Sequence, residues 1–211
     1  LPVEVRGSLF NCAVVISRGE IVGVVSKQNL PNHGAFGESR WFASGVSMEF
    51  DYCTLCGREV PFANELIFTA DDVRFGVEIG EDLWAAVPPS SHMAPDGAEL
   101  ILCPAAMPAL AEKYQYTRAL VAQQSARTMT AYVYASAGFG ESTTDLVFAG
   151  EAIIAENGKV LAEGERFSIE EQLIIRDIDV DLLRSERRRS TTFRCGRMFE
   201  PAAMSVAINL P

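Results

Sequence analysis

The sequence has no long apolar segment. None of its hydrophobic runs approaches the ~20 residues of a transmembrane helix, and it opens at Leu1 without the charged, then apolar, then small-residue pattern of a secretory leader. Cysteines are also few: five, an odd number, scattered through apolar contexts, as is typical of reduced thiols rather than disulfides. These absences predict a cytoplasmic protein with no membrane partner.

Positive charge is scarce. The chain has 18 basic and 28 acidic residues, which gives a formal net charge of −10. An acidic surface argues against nucleic acid or an anionic membrane as a partner. The one basic cluster, residues 184–189 (RSERRR), continues an amphipathic pattern. We expect this cluster to be the solvated face of a helix.

Several catalytic signatures are incomplete. The chain has two histidines, His33 and His92, and no G-x-S-x-G elbow that would present a serine nucleophile. Cys53 and Cys56 have the spacing of a zinc knuckle, but a second cysteine pair is absent and a strand explains the spacing as well. Residues 138–140 (GFG) lack the third glycine of a dinucleotide fingerprint. No metal and no cofactor are therefore predicted for this domain.

The hydrophobic residues form short strands and a few helices. With 211 residues and 48% hydrophobic content, the chain is most simply one domain with one sizeable core. Apolar runs predict strands at residues 8–16, 21–26, 46–55, 65–69, 73–79, 99–104, 132–137, 149–155, 159–162 and 172–177, with a turn at 57–61. Helices are predicted between Ser90 and Gly97, at 112–130 with Tyr116, Leu120, Val121 and Ala126 as the apolar stripe, and at 180–190. Because hairpins interrupt the alternation of strands and helices, the predicted class is α/β with a mixed sheet or two sheets.

Residues 74–84, RFGVEIGEDLW, are the segment around which the chain is organised. An apolar strand stops at Gly80, and two acids and a tryptophan follow at once. Many α/β enzymes present a nucleophile at such an elbow. On the residues alone, Gly80 supplies a positive φ or a close backbone approach, while Glu81 and Asp82 suit the first turn of a helix. Nothing catalytic follows from these residues by themselves.

A lysine and a glutamate are the remaining candidates for proton chemistry. Lys27 ends the strand at 21–26, and Glu38 lies in the irregular loop 28–45, whose length is typical of a functional loop. The two could form a cation and carboxylate pair in a cleft, where the charge of each would shift the pKa of the other. On spacing alone, a surface ion pair is the expected arrangement.

Longer motifs carry a specific resemblance. From about residue 9 to 193, the chain resembles the nitrilase-type glutaminase domain of bacterial glutamine-dependent NAD synthetases, on the motifs FNCAVVISRGEIVGVVSKQNLPNHGAFGESRWF, FGVEIGEDLW, KYQYTRALVAQQSART, YVYASAGFGESTTDLVF and IIAENGKVLAEGERF. The resemblance implies a four-layer αββα sandwich and a Glu-Lys-Cys triad. In that chemistry a thiolate attacks the glutamine amide, and the ammonia released serves a synthetase domain.

The resemblance assigns roles to individual positions. Lys27 matches the family lysine, and Glu38 matches a second glutamate of the loop after it. Gly80 stands at the position of the nucleophilic cysteine, and Glu81 would lend its N–H to the oxyanion hole. Two pocket positions would hold the glutamine head group. They are His33, where the family usually has tyrosine, and Met107, in a stretch that usually contains Ser and Asn.

The departures from the family pattern predict loss of hydrolysis. Gly80 lacks the sulfur that forms the thioester, and the strand-end motif that carries the triad glutamate is expected upstream of Leu1, together with the missing N-terminal strands. We expect residues 1–193 to be the nitrilase-like domain and 194–211 an extension or linker. ATP and Mg²⁺ would belong to a synthetase domain that is not in this chain, and a homo-oligomer is expected. The alternatives are a non-catalytic binding or assembly module, or a C–N hydrolase of altered substrate that uses another thiol such as Cys103.

Overall fold

The structure, a computed structural model, describes residues 1–48, 50–195 and 203–208. Its first sheet has five strands in the order β1-β2-β3-β5-β4. All neighbours are antiparallel except β3 and β5, which are parallel. The strands are β1 (Pro2–Val5), β2 (Ser8–Ser17), β3 (Glu20–Ser26), β4 (Asp51–Leu55) and β5 (Arg58–Ala63).

The second sheet has seven strands in the order β11-β10-β9-β8-β7-β6-β12. Its centre, β7-β8-β9, is parallel, as is the β6-β12 edge, while the other pairs are antiparallel. The strands are β6 (Leu66–Ala70), β7 (Val73–Val77), β8 (Leu100–Ala105), β9 (Ala131–Ser136), β10 (Ala152–Glu156), β11 (Lys159–Glu163) and β12 (Met204–Ile208). A mixed α/β class with two sheets is therefore confirmed.

The two sheets pack face to face. Val25 and Ala63 of the first sheet share a buried cluster with Leu66, Phe68 and Val77 of the second. The opposite face of the second sheet buries Ile101, Val121 and Tyr132 with helical neighbours, so a helical layer lies outside it. These are three of the four layers of an αββα sandwich, in the order sheet, sheet, helices. In the described part of the chain, no helix is long and apolar enough to cross a membrane.

Four α-helices complete the described residues: α1 (Ser90–Met93), α2 (Lys113–Thr128), α3 (Val180–Arg189) and α4 (Thr191–Cys195). The helix α2 was predicted correctly, and half of its apolar stripe is confirmed, since Val121 is buried and Leu120 packs against the core. The other half is wrong, because Tyr116 is 55% exposed and Ala126 is exposed too, while the rest of the buried face is polar. Gln124 on that face donates to Ser90 and Ser91 Oγ, and Thr128 donates to the Gln124 carbonyl. Hydrogen bonds therefore act together with the apolar contacts of Val121 to hold this face.

Other predicted elements differ from the structure. The strand predicted at 172–177 is irregular chain, with Leu173 85% exposed, because its alternating pattern finds no neighbouring strand to pair with. The predicted turn at 57–61 is wrong, since the turn occupies only Cys56 and Gly57 and β5 follows at once. The strand predicted from residue 46 begins at Asp51, after a 3₁₀ turn (Gly45–Ser47).

The C-terminal segment predicted as an extension or linker, 194–211, is described only in part. Of it, β12 lies in the second sheet, paired in parallel with β6. Residues 196–202 and 209–211 lie outside the described residues.

Candidate functional site

The lysine and the glutamate predicted from the sequence form an ion pair between a buried lysine and a partly buried glutamate. Lys27 directly follows β3, and its Nζ donates to Glu38 Oε2 at 2.6 Å. Glu38 begins a 3₁₀ turn (Glu38–Arg40) and accepts a second bond from Asn11 Nδ2 at 2.7 Å. The two side chains are only 7% and 20% exposed, so the expectation of a surface ion pair was wrong: the loop after β3 folds back over the sheet and encloses both.

Gly80 stands beside this pair at the tip of the elbow. It follows β7 and opens a 3₁₀ turn (Gly80–Trp84), with φ at +50°. A Cβ at this position would lie 3.9 Å from Lys27 Nζ and 3.8 Å from Ala105 Cα, which are ordinary contacts. There is room here for a side chain, although any residue but glycine would be strained at this φ.

Asp82 ties the elbow to the chain that follows Lys27. Its carboxylate is 1% exposed and accepts from the N–H groups of Gln28, Asn29 and Ile79, at 3.2, 2.7 and 3.0 Å. Burial raises the pKa of Asp82, while these donors and the charge of Lys27 oppose the rise. The sequence interpretation gave Asp82 only a role at a helix terminus, because nothing local in the sequence shows that residues 28 and 29 lie against it.

The predicted residues meet at a cavity of about 740 Å³ between the two sheets. Five of the six predicted positions line it: Lys27, Glu38, Gly80, Glu81 and Met107. The sixth, His33, lies at a neighbouring cavity of about 500 Å³ that shares Glu81 and Pro31 with the first. Apolar residues from β2, β3 and β8 form part of the remaining wall. This volume suits a small-molecule ligand.

Comparison with known proteins decides the family. The model of the carbon-nitrogen hydrolase family matches residues 2–188. The chain belongs to the carbon-nitrogen hydrolase family. The resemblance predicted from the sequence motifs is thereby confirmed.

The relatives of this chain are much longer proteins. A glutamine-dependent NAD(+) synthetase from Mycobacterium bovis is 42% identical over 195 residues, which are 91% of this chain and 29% of that protein. A second, from Mycobacterium leprae, is 40% identical over 199 residues, or 93% of this chain and 29% of that protein. The chain thus spans less than a third of the length of these curated relatives.

Solved structures show the same fold. A glutamine-dependent NAD(+) synthetase from Cytophaga hutchinsonii superposes with a TM-score of 0.71 at 29% identity, over 81% of this chain and 27% of that chain. A carbon-nitrogen hydrolase from Helicobacter pylori G27 gives a TM-score of 0.70 over 94% of this chain and 66% of that chain, at 20% identity. The second likeness concerns the fold alone.

Cys103, the thiol considered as a substitute nucleophile, lies in the core behind the site. It is fully buried on β8, and burial is the main reason that its pKa is raised, with the negative charge of Glu78 adding to the rise. A thiol that keeps its proton is a poor nucleophile. Cys53 is buried and Cys56 exposed, and the described residues contain no group of three or more potential metal ligands.

Glu78, two residues before Gly80, is a buried carboxyl that the sequence interpretation missed. The Tyr132 hydroxyl donates to one carboxyl oxygen, and the Ser90 N–H donates to the other at 2.7 Å. Burial raises the pKa of Glu78 to about 7, against the effect of these two bonds, and the charge of Asp82 adds to the rise. The folded protein therefore keeps this proton in a pH range where an ordinary glutamate has lost it.

We predict that Glu78 makes the fold less stable as pH rises from about 4.5 to about 7. In this window the unfolded carboxyl, with its ordinary pKa of 4.5, has released its proton, whereas the folded one, with a pKa of about 7, retains it. The free energy of unfolding should fall by about 3 kcal/mol across the window because of this group. Urea unfolding at a series of pH values should show a flatter profile for Glu78→Gln than for the parent chain.

The matched control is Glu4→Gln, on an exposed side chain of β1. It should leave the pH profile of the parent unchanged. The glutamine of Glu78→Gln also alters the hydrogen bonds to Tyr132 and Ser90. The comparison therefore concerns the slope of the free energy of unfolding against pH and not its absolute value. Parallel profiles for Glu78→Gln and the parent would contradict the assignment.

Proposed function

We propose that this chain is the glutaminase-type domain of a glutamine-dependent NAD synthetase, and that it does not hydrolyse glutamine because Gly80 stands in place of the nucleophile. The proposal is supported by the family match, by the named relatives and by the motifs that span residues 9–193. The observation that carries it is the place of Gly80: the elbow tip lies beside Lys27, where a side chain has room and none is present.

Each group that remains has a definite chemical role. In the family chemistry a thiolate would attack the amide carbon, forming a thioester and releasing ammonia. In this chain the ammonium of Lys27, held by Glu38, would stabilise negative charge on the attacked oxygen, and the N–H of Glu81 would add a second donor. Without an atom at position 80 that can attack the carbonyl, these groups bind and polarise a carbonyl group but break no bond. Loss of the nucleophile costs on the order of 10⁶ in rate in a comparable triad.

Further parts of this proposal concern the protein as a whole. By the same resemblance, glutamine is the amide that the active relatives take, and ATP and Mg²⁺ serve a synthetase domain outside this chain. A cytoplasmic location and a homo-oligomeric assembly belong to the proposal as well. A non-catalytic binding module is the second candidate, favoured by a cavity that retains Lys27, Glu38 and Glu81.

Ammonia release tests the proposed loss of hydrolysis. Incubated with glutamine, the 211-residue chain should release ammonia no faster than its Lys27→Met variant or buffer alone. The intact synthetase of Mycobacterium bovis serves as the positive control for the assay. Ammonia release that exceeds the blank and is abolished by Lys27→Met would show an active site that works without a thiol at position 80, and would overturn the proposal.

A further inference from the structure

Residues 171–178, here called the edge segment, lie at the edge of the second sheet without joining it. The last strand at this edge is β11, and the Arg176 side chain of the segment donates through Nε to the Leu161 carbonyl of β11 at 3.2 Å. Within the described part of the chain, no backbone–backbone hydrogen bond involves residues 171–178. Backbone N–H and C=O groups without backbone partners are a template on which another strand can pair.

The edge segment presents apolar side chains to solvent. Leu173 is 85% exposed and Ile175 is 69% exposed. Between them, Ile174 is partly buried, and its Cδ1 lies 3.0 Å from a Cβ built on Gly164. This alternation is typical of a strand that has one face against its own protein. Neighbouring exposed apolar side chains of this size indicate an interaction surface.

The apolar pattern of the edge segment is complementary to itself. In an antiparallel pair with Ile174 opposite the partner's Ile174, Leu173 lies opposite the partner's Ile175, and this contact occurs twice about a twofold axis. A register centred on Ile175 would instead set Leu173 opposite the partner's Asp177. The apolar residues therefore select the register centred on Ile174, since a shift of register loses the apolar contacts.

The charges are compatible with this register. Arg176 donates to two backbone carbonyls and forms no ion pair among the described residues, so its guanidinium has donors left for a carboxylate. In the antiparallel pair, the partner's Glu170 lies diagonal to Arg176 on the same face. Glu171 lies opposite the partner's Asp177, a repulsion between exposed groups that the Arg176 contact offsets. Apolar contact and backbone pairing therefore decide the association.

We propose that the edge segment pairs antiparallel with the same segment of a second copy of this chain, which gives a symmetric dimer with Leu173 and Ile175 at its centre. The dimer joins the second sheets of the two copies edge to edge. The inference goes beyond the proposed function, because it does not depend on the chemistry at Gly80. It assigns an interface to the oligomer that the resemblance predicts.

Sedimentation equilibrium on the 211-residue chain tests the dimer. Two short strands make a small interface, so the average mass should rise from that of one chain, 23.0 kDa, toward twice that value. We expect this rise between about 10 µM and about 1 mM protein, as for a weak interface. Ile175→Asp should weaken dimerisation at least about tenfold, because it places a charge against the partner's Leu173.

The matched control is Leu110→Asp, at an apolar side chain that is 63% exposed in a loop outside the edge segment. It makes the same change in charge and should dimerise like the parent. A parent chain that stays monomeric over the whole concentration range would overturn the proposal. So would an Ile175→Asp variant that dimerises as tightly as Leu110→Asp, since the copies would then meet through another surface.

Disulfide cross-linking tests the register. Leu173→Cys and Ile175→Cys are prepared separately, each with Cys56→Ser to remove the exposed native thiol, and oxidised with copper phenanthroline. Because only residues directly opposite each other come close enough for a disulfide, an equal mixture of the two variants should cross-link at least about fivefold more than either variant alone. Equal cross-linking in all three samples would overturn the register.

This proposal and the proposed function fail in different measurements. Ammonia release from glutamine would overturn the proposed loss of hydrolysis, whatever the oligomeric state. A chain that releases no ammonia and sediments as a monomer would overturn only the dimer.

Discussion

Gly80→Cys should give the chain a thiol far more reactive than its exposed cysteine. The new Cβ would lie 3.9 Å from Lys27 Nζ, so the cation should lower the thiol pKa from about 8.5 toward about 7. At neutral pH we expect iodoacetamide to modify position 80 about tenfold faster than Cys56, and the pH dependence of the rate to give the pKa. Peptide mapping distinguishes the two sites. Because φ at this position is +50°, the substitution should also cost about 1 kcal/mol of stability.

The control for this prediction is the double variant Gly80→Cys with Lys27→Met. Without the ammonium, the pKa of the introduced thiol should return to its ordinary range or above, since burial and the nearby carboxylate of Glu38 both raise it. The buried thiols Cys12 and Cys103, whose pKa values burial raises, should react slowly in every variant. A thiol pKa at position 80 that does not depend on Lys27 would contradict the geometry of the elbow.

The fold could be predicted from the sequence where local pattern decides it. Apolar runs bounded by turns located every strand of the two sheets except β1, β5 and β12, and α2 was found within two residues of its ends. The errors lie where pairing with a neighbouring strand determines whether a segment is a strand. Residues 172–177 alternate like a strand but pair with none, whereas β1 and β5 are strands because β2 and β4 lie beside them. The alternation within a segment does not show whether another strand lies beside it.

The candidate site could be predicted only in part. The resemblance identified Lys27, Glu38 and Gly80 as members of one site, and the structure brings them together at one cavity. The contacts that hold this arrangement were missed, because Asp82 binds residues more than 50 positions away along the chain. A buried acceptor of several N–H groups looks in the sequence like any acid at the start of a helix.

The basic cluster at 184–189 is a further correction with a large expected effect. It was expected to be a solvated helix face, but Arg187 is partly buried and donates to four backbone carbonyls. The acceptors, Ala94, Ala98, Thr128 and Met129, are at distances of 2.6 to 3.4 Å. Burial lowers the pKa of Arg187 to about 10. The Arg187 side chain of α3 thus links the C-terminal ends of α1 and α2 to the chain that leads into β8.

Arg187→Met should therefore destabilise the fold by about 3 kcal/mol. It removes several hydrogen bonds to a charged donor and leaves buried carbonyl oxygens unpaired, and each such loss is costly. Arg187→Lys should recover only a small part of this, because an ammonium cannot reach four carbonyls with the geometry of a planar guanidinium. Denaturant unfolding, with the midpoint and slope measured together, gives the difference in free energy.

The neighbouring Arg188 provides the comparison that separates position from charge. Its side chain is exposed on the same helix, so Arg188→Met makes the same change in net charge and in helix propensity. Surface substitutions of this kind usually alter stability by less than about 0.5 kcal/mol. If both variants lose stability equally, the loss comes from the charge or the helix and the four carbonyl contacts contribute little. A large loss confined to Arg187 means that the contact between α3 and the helix ends is part of what holds the helical layer against the sheet that carries Gly80.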